Sequence, residues 1–228
     1  APSNAIRWRL TRVILLGLFS IVSLATWRIV SIVPPAWSVT YRYVIACAAM
    51  FAYAAATRTP LKLGRQGQLL ALAFGLPQFF LNFNFVYAAE QYITSGVVAV
   101  VFALLLVPNS LLARAFLAHR VGPAFLVGST IAMAGVALLF VHEMRASNVT
   151  NEAVAIGIGL TLLGVLSASV ANVMQATERL RAYPIVSLLA WGMLHGTIAN
   201  ALFGWAVYGP PVVEARIGYW VGLFYLGL

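Results

Sequence analysis

Aspartate is absent from this chain, and lysine and cysteine occur once each among its 228 residues. Magnesium sites built on clustered aspartates are therefore excluded. Lys62 falls in a polar break between apolar runs, so no Schiff base can form inside a helix bundle. Cys47 alone can make neither an intrachain disulfide nor a cysteine–zinc cluster. Charged residues make up 8% of the chain, against about a quarter in soluble domains, which excludes that class. Disorder is excluded by the opposite number, since 62% of the residues are hydrophobic. The net charge of +9 is spread over short breaks and forms no face that could track a phosphate backbone, so nucleic acid is not an expected partner. No glycine-rich phosphate loop precedes a helix, and "VHEMR" at 141–145 lacks the second histidine of a zinc-protease helix. The chain is therefore expected to be no enzyme and to carry no metal or cofactor.

Long apolar runs are what the chain does have. A bilayer core needs about 20 apolar residues per helix, and runs at 13–33, 36–56, 67–88, 93–117, 122–141, 153–176 and 185–208 qualify. An eighth, "IGYWVGLFYLGL", begins at 217. The expected fold is all-α, a polytopic membrane bundle, with the lipid bilayer as its first partner. No cleavable leader pattern is expected at the start, because the apolar run after "RWRLTR" is too long.

Basic residues orient these spans. Arg7, Arg9, Arg12, Arg58, Lys62, Arg65, Arg114, Arg120, Arg179 and Arg181 fall on one side, with Glu178. The other side holds Arg145 and Arg216 together with Glu90, Glu143, Glu152 and Glu214. The expectation is a cytoplasmic N-terminus in a cell inner membrane. A shift of 149 residues lays Pro35 on Pro184, Ser20 on Ser169, Ser23 on Asn172 and Thr26 on Gln175. Each polar triplet has i, i+3, i+6 spacing and so forms a stripe on one helix face. Five spans per copy is an odd number, so the copies must face opposite ways across the membrane. On this reading residues 1–149 are a first five-helix repeat and 150–228 the start of a second, cut within its third helix. The intact protein is then expected to continue for about 60 residues more.

Several spans carry polar groups that lipid disfavours. The stretch "GLPQFFLNFNFVYAAEQY" at 75–92 holds a proline that can kink the third span. Gln78 and Asn82 share one face at i, i+4, and Asn84 and Tyr87 share another at i, i+3. Such amides either bond across helices or line a cavity, and two polar faces on one helix favour at least one facing water or substrate. Arg28, deep in the first span, either meets a substrate carboxylate or snorkels to the interface. Arg42 is read as structural. The stripes Ser20/Ser23/Thr26 and Ser169/Asn172/Gln175 gain weight as cavity lining from their matched positions. Asn109 follows Pro108, which suits a substrate contact or a kink equally. His195 lies deep in the seventh span, as packing or as a proton relay. Gly128, Ala132 and Gly135 are expected to serve close helix packing.

The run "RIVSIVPPAWSVTYRYVIACAAM", with a basic residue late in the first span, prolines in the turn and Arg42 seven residues after Pro35, resembles the EamA family of the drug/metabolite transporter superfamily. Residues 86–141 are similar to that family's third to fifth helices, with Pro108 at its fourth-helix proline and Gly128 to Gly135 at its glycine-bearing fifth helix. Two places depart: the usual first-helix tryptophan is replaced near Phe19 and Ser20, and the glutamate common after helix four reads His119 and Arg120. The resemblance implies ten helices, both termini cytoplasmic, and a central cavity lined mainly by helices 1, 3, 4, 6, 8 and 9. Among members it is most similar to bacterial amino acid exporters of the aromatic type. The expected function is export of small metabolites, amino acid-like and possibly aromatic, by alternating access from a monomer. Export of drugs or other metabolites is the alternative, with a membrane enzyme or receptor behind it. Expected substrate contacts are Ser20, Ser23, Arg28, Gln78, Asn82, Asn84, Tyr87, Asn109, Ser169 and Asn172. No carboxylate lies deep in a span, so facilitated export without proton coupling is expected.

Overall fold

The computed structural model describes residues 33–117, 122–146 and 150–227. The first sequence span, with Ser20, Ser23 and Arg28, lies outside the described residues. Among the described residues every regular element is helical: α1 (Pro35–Ala56), α2 (Gly64–Ala89), α3 (Ser95–Leu117), α4 (Pro123–Ala146), α5 (Asn151–Ala176), α6 (Ile185–Tyr208) and α7 (Ile217–Gly227). Helices α1 to α6 are long and apolar enough to cross a membrane. The bounds of α6 coincide with the expected run, and the others differ by a few residues at their ends.

Prolines and glycines set these boundaries. α1 follows Pro34 and has Pro35 in its first turn, where a missing N–H removes no intrahelical bond. It stops at Thr57, whose Oγ1 donates to Tyr53 O at 2.8 Å, and Arg58 then turns left-handed at φ 53°. Gly64 opens α2 at φ 64°, a backbone region that costs glycine little. Thr150 caps α5 by accepting the Ala153 N–H at 3.4 Å. α6 follows Pro184 and ends at Gly209, φ 79°.

Two helices are interrupted by interior prolines. Pro77 has no N–H to give Ala73, and the turn Leu76–Leu81 opens into a π-helix before α-helix resumes at Asn82. The kink expected at Pro77 is therefore a widened turn. Pro108 likewise leaves Leu104 O without its usual donor, and α3 loosens there into two pieces, Ser95–Ala103 and Leu106–Leu117.

α1 and α6 pack along their length and antiparallel: Trp37 Nε1 donates to Gly209 O at 3.2 Å at one end, while Phe51 meets Trp191 edge-on near the other. α2 is wedged between α6 on one side and α5 on the other. With lipid outside, helices gain no hydrophobic drive from meeting each other, so close van der Waals approach and polar bonds hold them. Gly75 supplies the closest approach, since a Cβ there would sit 2.7 Å from Gly192 Cα. A Cβ on Gly196 would strike the Phe79 side chain at 2.6 Å. Gly128 and Gly135 have no packing partner among the described residues, where nothing lies within 4 Å of a Cβ built there, and α4 exposes Leu126, Val127, Ile131 and Leu138.

The bundle has two unlike ends. Ser187 Oγ donates to Pro60 O at 2.8 Å and Trp191 Nε1 to Leu61 O at 2.9 Å, which ties the 57–63 loop to the start of α6. That end carries Arg58, Lys62, Arg65, Arg179 and Arg181. The other end, where Tyr41 Oη donates to Val212 O at 3.0 Å, carries Glu90, Glu152 and Glu214 with Arg145 and Arg216. Charges that the sequence assigns to opposite sides thus lie at opposite ends.

Candidate functional site

The π-turn decides what the polar residues of α2 face. Asn84 Nδ2 donates to Phe80 O at 2.8 Å and across to Asn200 Oδ1 on α6. Asn200, fully buried, in turn donates through Nδ2 to Phe79 O and to Gly196 O, both at 2.9 Å. The two amides thereby occupy carbonyls around the widened turn and fasten α2 to α6. Asn84, expected as a substrate contact, has protein partners on both helices. Tyr87, on the same face, is buried and engages Arg42 of α1. The Arg42 guanidinium also lies 5.0 Å from the Phe83 ring centre and 5.8 Å from that of Tyr43, within cation–π range. This cluster accommodates a charge inside a span, which fits the structural reading of Arg42.

The opposite face of α2 is different. Gln78 Oε1 and Asn82 Oδ1 are buried and accept no hydrogen bond among the described residues. Asn82, 5% exposed, lies over Gly164 of α5: a Cβ there would be 3.3 Å from Asn82 O and 3.5 Å from its Oδ1. α5 also contacts the π-turn. Its Ser169 is wholly buried with Oγ unmatched among the described residues, and Asn172 is half-buried one turn further on the same face. The second piece of α3 packs against α5 and brings Asn109, whose Oδ1 is likewise buried and unmatched. A buried polar atom left without a partner costs about 1–3 kcal/mol. Four such groups thus lie on α2, α3 and α5, and α5 packs against both of the others.

His195 stands apart. It is on α6, with its ring 6.3 Å from that of Trp191 and its Nδ1 buried without a partner among the described residues. Asn200, five residues on, takes no part with it. No group of three histidine, cysteine, aspartate or glutamate side chains that could hold a metal occurs among the described residues.

Two features escaped the sequence reading. One is the pairing of Asn84 with Asn200, which needs the tertiary contact of α2 with α6. The other had a readable signal: "GMLHG" at 192–196 is a small-xxx-small motif of the kind that lets membrane helices approach.

Neither a curated protein nor a solved structure matches the chain. Residues 7–141, more than half of it, match the EamA-like transporter family. That family consists of membrane transporters of small molecules rather than enzymes, and the all-helical bundle, its apolar spans and the matched residues agree: the chain belongs to the EamA-like transporter family.

Proposed function

We propose that the chain exports small polar metabolites, amino acids first among them, by alternating access around the polar face shared by α2, α3 and α5. The observation that carries this reading is the set of buried groups on Gln78, Asn82, Asn109 and Ser169 that have no partner among the described residues. These lie on the third, fourth and sixth spans, which the family resemblance assigns to the cavity wall. The second and seventh spans, α1 and α6, instead pair with each other. Amide and hydroxyl oxygens suit the ammonium of a zwitterion, since they accept its hydrogen bonds without bringing a charge into the bilayer. The asparagine- and aromatic-rich sequence of α2 suits a zwitterion with an apolar side chain, aromatic amino acids included. Ser20, Ser23, Arg28 and Asn172 complete the proposed wall, with Arg28 toward the substrate carboxylate. The antiparallel pairing of α1 and α6 suits the 149-residue inverted repeat, in which they are counterparts.

The direct test is competitive flux in proteoliposomes holding the full-length protein, against a panel of amino acids. Competition by aromatic amino acids, with flux reduced at least tenfold in Asn82→Leu and Ser169→Ala, is the expected result. Equal flux in wild type and both variants would remove the site from consideration, whatever the substrate.

Orientation and coupling follow from the same reading. The end bearing Arg58, Lys62 and Arg65 is placed in the cytoplasm of an inner-membrane protein acting as a monomer. Gln66 is exposed, so a Gln66→Cys probe in a Cys47→Ala background should resist an impermeant thiol reagent added outside intact cells. Labelling there reverses the orientation. Export is taken as facilitated, because among the described residues no aspartate or glutamate lies deep in a span. An imposed pH gradient should therefore fail to drive accumulation. Accumulation lost in His195→Gln would instead make that histidine the relay.

A further inference from the structure

A second feature lies away from the polar face. Between the start of α2 and α6 opens a cleft of about 900 Å³ whose rim holds Lys62 and Arg65 and whose wall includes Gln68, Leu69, Leu72 and His195. Its position at a loop between two spans puts its mouth at the membrane–water interface. Lys62 and Arg65 are exposed, and so are Leu69 (65%) and Leu72 (37%), one or two turns deeper. α2 opens here with no side-chain cap and no acid in its first turn, which leaves its first N–H groups for an anion. The wall is held in shape by the Trp191 bond to Leu61 O. Four residues beyond Trp191, about 6 Å deeper, His195 offers a buried Nδ1 without a partner among the described residues. From mouth to floor the order is cation, amide, apolar side chain and one half-buried imidazole.

We infer that this cleft binds an anionic phospholipid of the surrounding leaflet. The phosphate sits between Lys62, Arg65 and the first turn of α2, an acyl chain lies on Leu69 and Leu72, and the His195 imidazole donates to an ester carbonyl. Charge complementarity at the rim selects an anion. The exposed leucines select one with a long apolar tail, and a free phosphate or a soluble metabolite would leave them in contact with nothing of their own kind. This reading depends only on the cleft's interfacial position and not on the substrate of the transporter.

The test uses delipidated full-length protein in a nonionic detergent, titrated with phosphatidylglycerol or phosphatidylcholine and followed by native mass spectrometry and by melting temperature. Phosphatidylglycerol should bind about 20-fold more tightly than phosphatidylcholine, and Lys62→Gln/Arg65→Gln should bring the two to parity. Arg179→Gln/Arg181→Gln removes two exposed charges at the same end but outside the cleft, and should keep the preference. His195→Phe, which conserves the ring volume, should weaken phosphatidylglycerol several-fold without lowering the lipid-free melting temperature. Equal binding of the two lipids by wild type overturns the proposal, as does an equal loss in the Arg179/Arg181 variant, which reveals general surface attraction. Stabilisation by inorganic phosphate alone, equal to that by phosphatidylglycerol, also overturns it by making the ligand a soluble anion.

Discussion

The two faces of α2 carry the same residue types and do opposite things. Toward α6, Asn84 meets Asn200, whose amide spans to Phe79 O and Gly196 O, and glycines bring the backbones into contact. On the other face, Asn82 lies against Gly164 of α5, and neither its Oδ1 nor Gln78 Oε1 finds a partner among the described residues. One face is a fastening, and the other is the proposed lining. An asparagine in a span is thus defined by its partner rather than by its identity. A paired amide contributes to bundle stability, while an orphaned one reduces it and is retained where something transient supplies the missing bond.

If that contrast is right, stability should fall steeply on one face and hardly at all on the other. The largest loss is expected at Gly75→Val, because two added methyls must enter space held by the Gly192 backbone, which cannot move aside as a flexible side chain would. No monodisperse folded protein should be recovered, as checked by size-exclusion chromatography. Recovery at wild-type yield would mean that α2 and α6 are not in contact there.

Asn200→Leu, close in volume, should come next. It strips bonds from Phe79 O, Gly196 O and Asn84 at once, for about 1–3 kcal/mol of destabilisation in reversible detergent unfolding. A double-mutant cycle with Asn84→Ala isolates the amide pair, and its coupling should fall near ~0.6 kcal/mol and not above about 1.7. Zero coupling would break the distinction between the faces.

Pro77→Ala restores a donor to Ala73 O and favours closing the widened turn. Stability should shift by less than the ~3 kcal/mol that separates Pro from Ala in a regular helix interior, because the π-turn already accommodates the ring. Flux should nevertheless fall, because Asn82 and everything beyond it rotates relative to Gly75 when the π-turn is lost. The smallest stability change is expected at Asn82→Leu: within about 0.5 kcal/mol of wild type, or in its favour, since a buried amide oxygen without a partner among the described residues is removed. A destabilisation as large as that of Asn200→Leu would show that Asn82 is a fastening too.

Much of the architecture was readable because a bilayer admits few solutions. A run of about 20 apolar residues can only be a helix there, so the spans from 36 to 208 appear in the structure within a few residues. The prolines that open α1 and α6 act by covalent geometry and need no tertiary context. Recognition of the family rested on the same local features and on the spacing of Pro35, Arg42 and Pro108. The site was legible only in part. Spacing separated Gln78 and Asn82 from Asn84 and Tyr87, because the helical period alone sorts residues to faces. It could not tell which face was fastened.

That decision belongs to residues more than a hundred positions away. Asn200 supplies the partner of Asn84, while Gly164 lies under Asn82 and has no side chain to offer its Oδ1. The packing glycines show the same division. Gly128 and Gly135 have the spacing of a helix contact yet face open space among the described residues, while Gly75 acquires its role only from Gly192 opposite. The sequence by itself determined where the chain enters and leaves the membrane, since burial of backbone bonds and apolar side chains is a local, additive demand. Which polar groups meet partners and which have none among the described residues was decided only by the tertiary structure, because a hydrogen bond needs two groups within about 3 Å, and sequence spacing reaches no further than one helix.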